Sequence, residues 1–154
     1  MNNQAQSMYQ INLPQCVDLI VAVGSKRTVL AQGDMGNGKS SMIHMIGDKL
    51  PKHRKVYFDA TTKDLGDIMI PSIMLDEIGK ANQAVKNAML RLIQERQIGS
   101  YSLHPDSVVF ATTNKGSEGV GDILPSHVRN RMIVVQIKKT DHMNWIEWGI
   151  NNGI

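Results

Sequence analysis

Five short segments rich in apolar and β-branched residues alternate along the chain with stretches whose apolar positions recur at helical spacing. The strand-like segments are 28–32, 55–60, 72–75, 107–112 and 132–137. Three of them are continuous apolar runs, the pattern of strands buried on both faces of a parallel sheet. Helical segments are expected at 14–23, 39–50 and 81–97. In the last of these, Val85, Met89, Leu92 and Ile93 fall on one helical face and should pack on the sheet. The alternation predicts an α/β fold, a three-layer sandwich around a mostly parallel five-stranded sheet. The link 60–72 is close to the minimum for a parallel crossover, leaving room for about two helical turns over 63–69. Trp145, Ile146, Trp148 and Ile150 form an apolar tail that needs a surface to pack against, in this domain or in another.

Between the first strand and the helix that follows it, residues 33–40 read Gly33-Asp34-Met35-Gly36-Asn37-Gly38-Lys39-Ser40, with Ser41 next. This is a complete G-x-x-x-x-G-K-[ST] phosphate-binding loop in its required strand–loop–helix setting. The glycines allow consecutive backbone N–H groups to curl around phosphate oxygens. Lys39 brings a point charge to the β- and γ-phosphates, and the Ser40 hydroxyl is suited to ligate Mg²⁺. The positive end of the following helix faces the same anion. The loop therefore predicts binding of a nucleoside triphosphate.

The strand Ile73-Met74-Leu75 ends in Asp76-Glu77. In a parallel sheet the C-terminal strand ends face the ligand crevice, so both acids should lie beside the phosphate loop. Asp76 would hold Mg²⁺ directly or through water, and Glu77 would orient and deprotonate an attacking water. A second acid at this place favours transfer to water over transfer to a hydroxyl. The strand Val108-Val109-Phe110-Ala111-Thr112-Thr113 ends in Asn114, which could hydrogen-bond the water or a γ-phosphate oxygen. Arg129 and Arg131 precede the last strand, where an arginine can be a solvated charge or reach the phosphate of a neighbouring subunit.

These motifs, in this order and spacing, resemble those of AAA+ ATPases. The stretch from Leu75 to Asn114 is most similar to the MoxR-like branch, which has many bacterial and phage members. The resemblance implies Lys39 and Ser40 as Walker A residues, Asp76 and Glu77 as Walker B, Asn114 as sensor 1 and Arg131 as the arginine finger, with Arg129 as runner-up. It also implies ATP and Mg²⁺ as cofactors, and a phosphate-loop strand lying between the fourth and fifth strands. Its further implications are a ring-forming homo-oligomer, such as a hexamer, and remodelling of a protein or protein–nucleic acid client. A nucleotide-binding switch with little hydrolysis, and a phage-type ATPase acting on DNA, are the alternative functions. Residues 1–138 would form the nucleotide-binding core, and 139–154 the start of a truncated lid or linker helix. The 60–72 link is too short for both the pore loop and the hairpin insert of MoxR-like proteins.

Composition narrows this picture only slightly. The 154 residues suit one domain, and 42% apolar with 20% charged residues is an ordinary globular balance. A net charge of +3 with no basic stripe permits nucleic-acid binding without indicating it. The longest apolar stretch, 68–75, is interrupted by Pro71 and Ser72 and is too short to span a bilayer. The first ten residues lack the apolar core of a signal peptide, and the single Cys16 suits a reducing, cytoplasmic setting. The five histidines have no metal-ligand spacing with one another or with Cys16.

Overall fold

The computed structural model describes residues 9–59, 71–114, 126–139 and 141–153. The order of elements is β1 (Gln10–Ile11), α1 (Leu13–Val23), β2 (Val29–Gly33), α2 (Met42–Lys49), β3 (Arg54–Asp59), β4 (Pro71–Asp76), α3 (Gln83–Glu95), β5 (Gln97–Ile98), β6 (Tyr101–Ser102), β7 (Val108–Asn114), α4 (Ser126–Arg129), β8 (Ile133–Ile137) and α5 (His142–Asn151). Strands β1, β8, β2, β7, β4 and β3 lie side by side in one sheet in that order, and every pairing in it is parallel. The phosphate-loop strand β2 thus sits between β7 and β8, as the resemblance implied.

The sheet has one strand more than the five expected. Gln10 and Ile11 pair with Gln136 and Ile137 at the edge of β8. Two residues are too few to show a period, so this strand has no signature in the chain's own pattern. A separate hairpin, β5–β6, turns through Gly99 at φ 59. It follows α3, which ends at Glu95 rather than at 97 because Arg96 takes up a left-handed conformation. The expected turns over 63–69 lie outside the described residues.

Two apolar layers cover the sheet. On one face Cys16, Val17 and Ile20 of α1 and Met42, Ile43 and Ile46 of α2 bury against Val29, Ala31, Met74, Phe110 and Val135. On the other, Met89, Leu92 and Ile93 of α3 bury against Leu30, Ile73, Leu75, Val109 and Ala111. Alternate residues of each central strand serve opposite layers, so these strands are apolar throughout. Helices α1 and α3 start at side-chain caps: Asn12 Oδ1 accepts from Gln15 N–H at 2.8 Å, and Asn82 Oδ1 from Val85 N–H at 2.9 Å. In the tail, Ile146, Trp148 and Ile150 of α5 remain at least half exposed. Among the described residues no helix is long and apolar enough to cross a membrane.

Candidate nucleotide site

The sheet register assembles the site. Gly33, where the phosphate loop begins, pairs with Asn114 at the end of β7. On β4 and β7, Met74 and Phe110 face α2, so Asp76 and Thr112, two residues further on, face it too. Asp76, Thr112, Asn114 and the phosphate loop therefore meet at the C-terminal edge of the sheet.

The loop curls through two glycines in left-handed conformation, Gly36 at φ 79 and Gly38 at φ 73. A side chain at either would strain the backbone there. The turn after Gly38 is a tight 3₁₀ turn over Lys39–Ser41, and the α-helix proper begins only at Met42. Lys39 is 7% exposed. Its ammonium donates to the carbonyls of Gly33 at 2.9 Å and Asp34 at 2.7 Å, which holds it within the loop. The Asn37 side-chain nitrogen is buried and has no hydrogen-bond partner among the described residues. An unsatisfied donor of this kind is costly unless a ligand oxygen meets it.

Asp76, itself 7% exposed, is the hub of the acidic half. Thr112 Oγ1 donates to its Oδ1, while Oδ2 accepts from Tyr57 Oη at 2.6 Å and from Ser40 Oγ at 3.4 Å. Ser40 and Asp76 thus come from different elements to one point, where both present oxygen. Such a hard donor pair fits Mg²⁺, which takes few carboxylates and completes its shell with phosphate oxygens and water. Among the described residues no group of three or more His, Cys, Asp or Glu side chains could hold a metal ion on its own.

Glu77 leaves the strand in a left-handed conformation, φ 50 and ψ 42, which an L-residue other than glycine adopts at a cost of about 1–2 kcal/mol. The kink turns its carboxyl toward β7, where Oε1 accepts from Asn114 Nδ2 at 3.3 Å and from Lys80 Nζ at 3.0 Å. Its N–H donates to Thr112 Oγ1 at 3.3 Å, so this one hydroxyl is bonded to both acidic residues. The two arginines diverge. Arg129 Nη2 lies 3.5 Å from Gln32 Oε1, on the same chain's β2, whereas Arg131 is exposed.

Lys39, Ser40, Asp76, Glu77 and Asn114 are therefore brought together, with Gly33 to Ser41 forming the loop around them. Sequence reasoning missed Tyr57 and Thr112. Thr112 lies inside a strand-like run, where a threonine carries no signature of a role. Tyr57 lies in β3, separated from the phosphate-loop strand β2 by β7 and β4, and only its register with Met74 puts it beside Asp76.

No protein-family model and no curated protein sequence matches the chain. Solved structures do match. A protein of Cytophaga hutchinsonii described as an ATPase is similar over 91% of this chain and 50% of its own, with 17% identity and a TM-score of 0.67. The RuvB Holliday junction branch migration motor of Thermotoga maritima is similar over 82% of this chain and 44% of its own, with 20% identity and a TM-score of 0.56. NtrX of Brucella abortus, solved in complex with ATP, is similar over 82% and 35%, with 16% identity and a TM-score of 0.57. The chain thus spans half or less of the length of these structures. At such identities the likeness concerns architecture, and together with the strand order and the loop geometry it gives the conclusion that this chain has the P-loop NTPase fold.

Proposed function

We propose that the protein is an Mg²⁺-dependent ATPase of the AAA+ class, of MoxR-like type, which assembles into a ring and remodels a protein or protein–nucleic acid client. The observation that carries this reading is the convergence of Lys39, Ser40, Asp76, Glu77 and Asn114 at the ends of three neighbouring strands. In it the loop 33–41 and Lys39 bind the triphosphate, and Ser40 and Asp76 hold Mg²⁺. The bound ion neutralises charge on the phosphates. Glu77 takes a proton from the attacking water, and Asn114, already bonded to the Glu77 carboxylate, fixes where that carboxylate points. Arg131, exposed ahead of β8, acts on the site of a neighbouring subunit. Residues 1–138 form the nucleotide-binding core, and 139–154 begin a lid or linker helix whose apolar residues meet a further surface.

The test is Mg²⁺-dependent ATP hydrolysis over a hundredfold range of protein concentration, with Glu77→Gln in parallel. Turnover per chain that rises with concentration and vanishes in the variant supports an assembling ATPase. Turnover per chain independent of concentration, but still lost in the variant, would remove the ring and keep the enzyme. A second reading, a nucleotide-binding switch with little hydrolysis, is favoured by one observation: the Glu77 carboxylate is already engaged by Lys80 and Asn114. ATP binding without turnover at any concentration would select it.

A further inference from the structure

We propose that Tyr57 is a positioning residue for the metal half of the site, setting the rotation of the Asp76 carboxylate and thereby the affinity for Mg²⁺ with nucleotide. The inference rests on the nucleotide-site reading above and adds to it a residue from a strand that carries no nucleotide motif.

Three hydroxyls converge on one carboxylate. Thr112 is bonded to Oδ1, and Tyr57 and Ser40 are both bonded to Oδ2. They differ in strength and in anchoring. The Tyr57 contact, at 2.6 Å, lies in the range of charge-assisted O–H···O⁻ bonds, whereas that of Ser40 is long at 3.4 Å. Ser40 is exposed, in the phosphate loop. Tyr57 is held by six residues of parallel register between β3 and β4.

That register explains the reach. Tyr57 pairs with Met74, so its ring stands on the same face of the sheet as Asp76, which lies two positions further along β4. A hydroxyl one residue earlier or later in β3 would face the opposite layer. Thr112 bonds one oxygen from the β7 side and Tyr57 the other from the β3 side. The carboxylate is pinned at both ends. Its plane is then fixed before any ligand arrives, and the free acceptor capacity of Oδ2 is left toward Ser40, the other metal-ligating oxygen. Groups that orient a metal's ligands in this way typically change metal affinity or activity by about 10–100-fold when removed.

The test separates the metal from the nucleotide. ATP affinity of the full chain is measured with a fluorescent ATP analogue, once in EDTA and once across a Mg²⁺ titration, for the wild type and Tyr57→Phe. Phenylalanine keeps the ring and removes only the hydroxyl, and equal thermal midpoints without ligand would verify that the fold is unchanged. The expected result is an unchanged affinity in EDTA and a Mg²⁺ half-saturation raised about tenfold or more in the variant. Mn²⁺ substituted for Mg²⁺ gives a spectroscopic check, since its paramagnetic resonance spectrum in the nucleotide complex should broaden when the carboxylate can rotate. Equal Mg²⁺ dependence in the two proteins, or tighter Mg²⁺ binding by Tyr57→Phe, would overturn the role assigned to Tyr57 and leave the nucleotide site standing. A wild type that binds the analogue without any Mg²⁺ dependence would overturn the metal half of the site itself, and the role of Tyr57 with it.

Discussion

Thr112→Val tests the connection between the two acids most directly. Thr112 is fully buried, and its hydroxyl both donates to Asp76 Oδ1 and accepts the N–H of Glu77. Valine has nearly the same shape, so the change removes the hydrogen bonds and leaves no cavity. Loss of a hydrogen bond to a charged group costs about 1.5–3 kcal/mol. The Glu77 N–H adds little, because Glu77 is only half-buried and water can replace the lost acceptor. A net destabilisation of about 2 kcal/mol is expected, which in a domain of this size lowers the melting temperature by about 4–8 °C. Urea unfolding without nucleotide, with the slope checked for constancy, measures it. In an Asp76→Ala background the same substitution should cost under about 0.5 kcal/mol, since its charged acceptor is gone. A single-variant effect below about 0.5 kcal/mol, or an equal effect in both backgrounds, would refute the coupling of this hydroxyl to the Asp76 carboxylate.

Two further outcomes are expected. Arg131→Ala should leave ATP binding intact and lower turnover by about 10³-fold or more, and mixing it with an ATP-binding-deficient Lys39→Ala chain should restore part of the activity if the arginine acts between subunits. Full activity of the Arg131→Ala chain would transfer attention to Arg129. Cys16 is buried in the α1 layer, and burial pushes its thiol up to about 12 from an ordinary value of 9.0. A raised folded-state value means that stability is complete below the unfolded thiol's pKa and is lost as pH rises between the two. The stability difference between wild type and Cys16→Ala should therefore shift against the wild type by about 1.4 kcal/mol per pH unit above pH 9, as read by denaturant unfolding across alkaline pH. A difference independent of pH would show that the thiol is not protected from ionisation.

Chemistry carried by neighbouring residues can be read along the chain. The phosphate loop is legible because Gly36 and Gly38 must be glycine to hold φ 79 and φ 73, and because Lys39 and Ser40 must follow at once. The central strands are legible because burial on both faces makes them apolar without interruption, and Asp76, Glu77 and Asn114 stand out as polar ends of such runs. The phase of Val85, Met89, Leu92 and Ile93 gave α3 its buried face. Tertiary structure decided whatever depends on register between distant segments. Edge strand β1 is too short to carry a period and exists only because β8 offers it partners. The left-handed kink at Glu77, the sharing of Thr112 between two acids and the reach of Tyr57 to Asp76 have no local signature. They arise because parallel pairing aligns the ends of β2, β7 and β4 and brings β3 alongside, so that side chains far apart in the chain become neighbours around one carboxylate.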